Sequence, residues 1–200
     1  KHGATRAMAN KIALGVEHVG LEACMRTVPE ITTNIDELQD PVPATGDPYV
    51  SHQDLQDCAA LALGSPTRFG NMAAPLKYFI DTTNALWLSG TLENKPACVF
   101  TSTSSMHGGQ ESTLLSMMLP LLHHGMVFCG LPYSIPQLHT TVTGGSPYGV
   151  THLAQGDKPN KLSEDETLLC IEQGKRLATL AKRRNIAFIR SRNRRRSVSS

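Results

Sequence analysis

The run "CAALALGSPTRFGNM", Cys58 to Met72, is the stretch on which the reading of the fold turns. Its first half is short and continuously apolar, the pattern of a strand buried on both faces. Its second half leaves that strand through Gly64, Pro66 and Gly70, with hydroxyls, a guanidinium, an aromatic ring and an amide between them. One glycine and one proline suffice for a turn. The added Ser65, Thr67, Arg68, Phe69 and Asn71 give the loop a surface suited to gripping a polar, planar object.

Helical and strand-like patterns alternate outward from this run. Met8, Ile12, Val16 and Val19 recur at spacings of three and four, which predicts an amphipathic helix from about Thr5 to Val19. "LEACMRTV", 21–28, reads as a strand, and the four prolines of 29–51 make that segment a long connection. After the opening loop, Leu76, Phe79, Ile80 and Thr83 mark a helical face with Pro75 in its first turn. "ACVF", Ala97 to Phe100, is a further strand, followed by the loop "TSTSSMHGGQ". Leu114, Leu115, Met118, Leu121 and Leu122 give the next helix, with Glu111 where the helix dipole favours an acid. "MVFCG", 126–130, is a strand, and a second long loop runs through "GGSPYG". The last helix opens at "SEDE", where Ser163 and Glu166 are spaced as a capping box.

Such alternation predicts an α/β, doubly wound parallel sheet, with ligands outside the carboxyl ends of its strands. The loops "SPTRFGN" and "TSTSSMHGG" then line one crevice. Backbone N–H groups freed by glycine, small hydroxyls and few acids suit an anionic or carbonyl-rich ligand.

Composition bounds the class. The 200 residues are 40% hydrophobic, enough for a real core. Five cysteines without a C-x-x-C pair read as reduced, buried thiols of a cytoplasmic protein. No run approaches the roughly 20 apolar residues of a membrane span, and "KHGATRAMANK" lacks a signal-peptide core. The net charge of +2 hides an asymmetry: residues 1–181 carry 11 basic and 17 acidic residues, net −6, while 182–200 hold 8 basic residues and no acid. The basic end is read as a solvated, disordered tail, 183–200, and nucleic acid is not an expected partner, because the body offers no companion basic face.

"GSPTRFGNM", "ALWLSG", "HGGQES", "LLHHGMV" and "GGSPYG", in this order and spacing, resemble the WrbA family of FMN-dependent NAD(P)H:quinone oxidoreductases. The likeness spans about Gly3 to Lys182. It implies a flavodoxin-like domain over 1–182, with strand order 2-1-3-4-5, and a homotetramer with flavin sites near subunit boundaries. It implies FMN as cofactor, NADH or NADPH as co-substrate and quinones as acceptors, with two-electron, ping-pong transfer and no protein group acting as catalytic acid or base. The isoalloxazine would be held by Pro66, Thr67, Arg68, Phe69, Gly70 and Asn71 and by Ser102, Thr103, Ser104, Ser105, Met106, His107 and Gly108. The phosphate falls to Lys1, His2, Gly3, Ala4 and Thr5 at a helix N-terminus. His123 matches a histidine over the flavin, and Trp87 and Tyr133 match aromatic residues of the substrate pocket.

Taken alone, each residue also has a structural reading. His123 serves equally as a helix cap, Trp87 as core or interface, Phe69 as a packed loop anchor and Arg68 as a surface ion pair. The likeness starts after the family's first apolar strand and serine, so the sheet is expected to lack its first, central strand here, as in an N-terminally truncated chain. Two rival functions are a flavodoxin-like electron carrier without turnover of its own and a fragment unable to hold the cofactor.

Overall fold

In the computed structural model, residues 3–31, 43 and 45–198 are described, side chains of 185–198 excepted. The apolar run forms β1 (Leu61–Pro66), which pairs in parallel along its whole length with β2 (Pro96–Thr103). Every residue of β2 is buried, as expected for a central strand covered on both faces. Its other side takes two short parallel strands, β3 (Val127–Phe128) against Pro96 and Ala97 and β4 (Val150–Leu153) against Phe100 to Thr103. They are two halves of one line, broken by the excursion 129–149. The strand expected at 126–130 is thus only its central pair, and β4 lies just beyond what reads in sequence as a long loop.

Helices cover both faces. On one lie α2 (His52–Asp57), α3 (Ala74–Asp81), α4 (Asn84–Leu88) and α5 (Gln110–His123), whose Leu55, Leu76, Leu86, Leu114, Met117 and Leu121 share a core with Leu63, Ala97 and Val99. On the other lie α1 (Ala4–His18) and α7 (Glu164–Val198), where Met8, Ile12, Leu169 and Cys170 pack on Phe100 and Val150. Successive β2 residues thereby feed opposite cores, each large side chain buried contributing about 1.5–3 kcal/mol. Two glycines bring α1 and α7 together: a Cβ on Gly15 would sit 2.1 Å from the Ile171 carbonyl oxygen, and one on Gly174 would sit 2.0 Å from that of Ile12. No larger residue fits this crossing. A short helix, α6 (Gln137–Thr140), lies within the excursion.

The structure differs from the sequence reading at several points. Residues 21–28 alternate half-buried Leu21, Ala23 and Met25 with exposed neighbours, as a strand does, but their ladder is a single bridge, Thr27 to Tyr49. They face β1 across a trench of about 1720 Å³, and a strand exists only through paired backbone. The loop after "ACVF" starts three residues late, because Thr101, Ser102 and Thr103 are buried in β2. The basic tail continues α7 to Val198, since no glycine or proline follows Gly174 to stop it. Of the five unpaired cysteines, Cys24 is exposed and Cys58 half-buried, so burial holds fully only for Cys98, Cys129 and Cys170. Among the described residues no helix is long and apolar enough to cross a membrane.

Candidate functional site

Three segments meet at the carboxyl ends of β1 and β2. The first is the start of α1. Gly3 is its N-cap in the left-handed region (φ 75°), with no side-chain capping bond and no acid in the first turn. The first-turn N–H groups and the positive end of a 15-residue helix therefore face outward together, an arrangement that favours an anion. The Thr5 and Ser102 hydroxyl oxygens, 3.1 Å apart, tie this turn to the end of β2.

The second segment is the turn leaving β1. Thr67 N–H donates to the Ser102 carbonyl (3.0 Å), after which Arg68 and Asn71 exchange backbone bonds of 2.7 and 3.0 Å around Phe69 and Gly70. Both central residues have positive φ, 52° and 76°, the signature of a tight two-residue turn of type I′. Glycine takes this conformation freely, whereas for a bulky aromatic it costs about 1–2 kcal/mol. Phe69 is nevertheless fully exposed, so it is no packed anchor and its strain serves nothing inside the fold. Arg68 donates to the carbonyl of Thr67 (2.8 Å), stiffening its own turn. Ser65 staples the base, its hydroxyl donating to the Pro66 carbonyl and accepting from Ala73 N–H.

The third segment follows β2. Ser104, Ser105, Met106, His107 and Gly108 are exposed in a turn closed by Gly108 N–H to the Ser105 carbonyl (3.1 Å). Below it Gln110 is buried, donating to the Thr103 hydroxyl and accepting from that of Thr151 (2.5 Å). The second and third segments touch through glycine: a Cβ on Gly109 would stand 2.9 Å from the Gly70 Cα. Thr67 and Thr113 join them again, hydroxyl to hydroxyl, at 2.7 Å.

A fourth segment, 154–160, has no counterpart among the residues singled out in the sequence. Ala154 N–H donates to the Thr103 carbonyl (2.8 Å) and the Gln155 amide to that of Ser104 (3.0 Å). Ala154 and Pro159 line the same trench as Gly3, Thr5, Thr67 and Ser104. The signal was local: "GDKPN", 156–160, is a turn sequence two residues after a short β-prone run, "VTHL", 150–153.

The remaining expected site residues lie elsewhere. Lys1 and His2 fall outside the described residues. Trp87 and His123 are brought to each other, rings 6.5 Å apart and Trp87 Nε1–H donating to the His123 carbonyl (3.1 Å). Both sit at the far end of α5 from Gly109, about 20 Å away for a helix of that length. Trp87 is half-exposed rather than core. Tyr133 is exposed on the excursion, its ring tilted against that of His139 with centroids 5.3 Å apart. Among the described residues no cluster of His, Cys, Asp or Glu forms a metal site.

The donor set fits FMN. An uncapped helix start suits a phosphate, and two exposed turns with tight, glycine-bearing backbones suit the edge of a planar ring. The comparisons agree. The family model "NADPH-dependent FMN reductase" matches residues 1–139. A protein of Solidesulfovibrio magneticus named NAD(P)H dehydrogenase (quinone) is 43% identical over 192 residues, covering 91% of this chain and 94% of that protein. One of the same name from Trichlorobacter lovleyi is 40% identical, covering 91% and 93%. In fold, the chain is similar to a WrbA-like flavodoxin of Agrobacterium tumefaciens (TM-score 0.62, 22% identity, 92% of each chain) and to an archaeal flavodoxin (TM-score 0.56, 17% identity, 91% and 93%). The chain belongs to the NADPH-dependent FMN reductase family, on a flavodoxin-like fold.

Proposed function

We propose that the protein is an FMN-dependent NAD(P)H:quinone oxidoreductase that reduces quinones by two electrons in a ping-pong cycle. The observation that carries this reading is the meeting of an uncapped helix start with two exposed, glycine-hinged turns at one sheet end. The relatives' name, NAD(P)H dehydrogenase (quinone), supports the substrates. Bound there, FMN supplies hydride acceptance from a nicotinamide and electron delivery to a quinone.

The protein's own part is to bind and orient. Gly3, Ala4 and Thr5 hold the phosphate at the helix start, with Lys1 and His2 ahead of them. Pro66 to Asn71 and Ser102 to Gly108 hold the ring edge, the backbone N–H groups of Phe69 and Gly70 in the first turn and of Ser105, Met106 and His107 in the second favouring negative charge there. Phe69 and Met106, both exposed, border the face on which nicotinamide and quinone alternate.

Trp87, His123 and Tyr133 complete the substrate pocket of a neighbouring copy in a homotetramer. Two observations support this. The Trp87–His123 pair stands a helix length from its own flavin turns. Leu115, Leu119 and Leu122 of α5 form an exposed apolar stripe beside it, larger than a lone surface leucine accounts for. The compartment in this reading is the cytoplasm.

The test is purification with FMN followed by mixing with NADH and benzoquinone. Yellow protein that oxidises NADH only when quinone is present, with parallel-line kinetics, is the expected result. Retained flavin without NADH oxidation would make the protein an electron carrier, and colourless protein after FMN addition would remove the cofactor.

A further inference from the structure

We propose that His152 is a positioning residue of the flavin site, held as an imidazolium between Glu166 and the Pro159 carbonyl so that it pins segment 154–160 behind the 102–108 turn. The proposal rests on the FMN reading above.

The protonation state follows from the partners. His152 is buried, and its Nδ1 lies 2.8 Å from Glu166 Oε2 while its Nε2 lies 2.9 Å from the Pro159 carbonyl oxygen. A carbonyl only accepts. Glu166 is also held as an acceptor, because its oxygens already receive backbone N–H bonds from Gly144, Leu153 and Ser163. Both ring nitrogens therefore carry protons, and the neutral ring, with one N–H, would turn a lone pair toward an acceptor. Burial opposes the charge, but the bonds to Glu166 and Pro159 outweigh it and hold the histidine above its ordinary value.

The pin reaches the site through a short chain of contacts. His152 pairs with Ser102 across the ladder, so it lies level with the end of β2. Beyond it Ala154 and Gln155 bond Thr103 and Ser104, and Pro159 and Asn160 close the loop, Asn160 lying 3.9 Å from where a Cβ on Gly3 would be. Releasing Pro159 frees a wall that bonds the ring turn and approaches the phosphate turn. Around His152, α7 brings Glu166 and, a turn further, Cys170, whose thiol burial keeps protonated; α1 brings Lys11 toward Cys170. The strand β2 brings uncharged Ser102 and Thr103, and the loop itself brings Asp157 and Lys158, both exposed. Glu166 is the charged group bonded to the ring.

The experiment compares the wild-type chain with His152→Gln, which keeps one donor. Amide hydrogen exchange of the protein without flavin, expressed as protection relative to the intrinsic hydroxide-catalysed rate at each pH, and FMN dissociation constants are followed from about pH 7 to about pH 9, and ring ¹⁵N shifts report His152 directly. Expected are doubly protonated shifts at pH 7, faster exchange in 102–108 and 154–160 as that signal titrates, and FMN binding about tenfold weaker across the same step. In His152→Gln the weakness is present at pH 7 and the step is gone. A merely structural role would lower stability in the variant without a matching step in the wild type. Neutral shifts at pH 7, or wild-type exchange and affinity that stay flat while His152 titrates, overturn the proposal even if the variant fails to fold. If no FMN binds at any pH, the function fails while the exchange data still decide the pin.

Discussion

Gly109 and Gly70 meet back to back: a Cβ on Gly109 would stand 2.9 Å from the Gly70 Cα. Each also has a positive φ, 92° and 76°, so the contact needs glycine twice over, for space and for conformation. Gly109→Ala is expected to part the two turns and weaken FMN binding on the order of tenfold, while the cores on both sheet faces keep the fold. Fluorescence titration of FMN checks this. An unchanged dissociation constant would show that the turns act independently.

Glu166 and His152 give the fold a pH window with two edges. Burial alone would raise the Glu166 carboxyl, but bonds from His152, Leu153 and Ser163 hold it down at about 2. Its contribution is present above the ordinary value of 4.5 and is lost as pH falls through about 2, amounting to about 3 kcal/mol. The His152 shift has the opposite sign. Its contribution is full below the ordinary 6.5 and is lost as pH rises through the raised value. Urea midpoints across pH should form a plateau between these edges, and Glu166→Gln should flatten the acid limb. A wild-type acid limb no steeper than the variant's would contradict the pairing.

Lys95 is buried, and its ammonium donates to the carbonyls of Leu55 (3.0 Å) and Gln56 (2.7 Å) at the end of α2. Those carbonyls belong to the unsatisfied last turn of a helix. Lys95→Met leaves them without this donor, so a loss of about 2–4 kcal/mol in denaturant unfolding is expected, with FMN affinity unaltered. A stability change under half a kcal/mol would mean that other donors replace the ammonium.

How far the sequence carried depended on whether a residue's state is set locally. The apolar run into β1 and the spacing of Met8 and Ile12 on α1 were readable because burial of one face is written in the periodicity. β4 was not, because "VTHL" buries a threonine and a histidine whose partners, Gln110 and Glu166, lie 41 and 14 residues away. The same applies to Thr101 at the end of β2, a hydroxyl that reads as loop until Ser65, 36 residues away, takes its bond. Segment 21–28 failed in the other direction: its alternation was real, but pairing belongs to two chains of backbone. In the candidate site, the motifs pointed to two loops that the fold brings together at one sheet end, yet spacing could not reveal that Trp87 and His123 gather at the opposite end of α5.

Trp87 allows the proposed assembly to be tested by genetics of mixed subunits. Its indole is half-exposed and bonded to the His123 carbonyl, so Trp87→Ala should keep the melting temperature within a few degrees, unlike a buried tryptophan, whose truncation costs about 3–5 kcal/mol. FMN should remain bound while quinone turnover falls. Gly70→Val fails in a complementary way, since a branched side chain at φ 76° breaks the flavin turn and leaves Trp87 untouched. Neither variant alone turns over quinone well. Co-refolded subunits should regain activity, because a Trp87→Ala subunit then offers its flavin to the tryptophan of a Gly70→Val neighbour. If each Trp87 serves its own chain, every flavin in the mixture still lacks it and no activity returns. Steady-state rates of the mixture against the two parents, at matched flavin content, separate the outcomes.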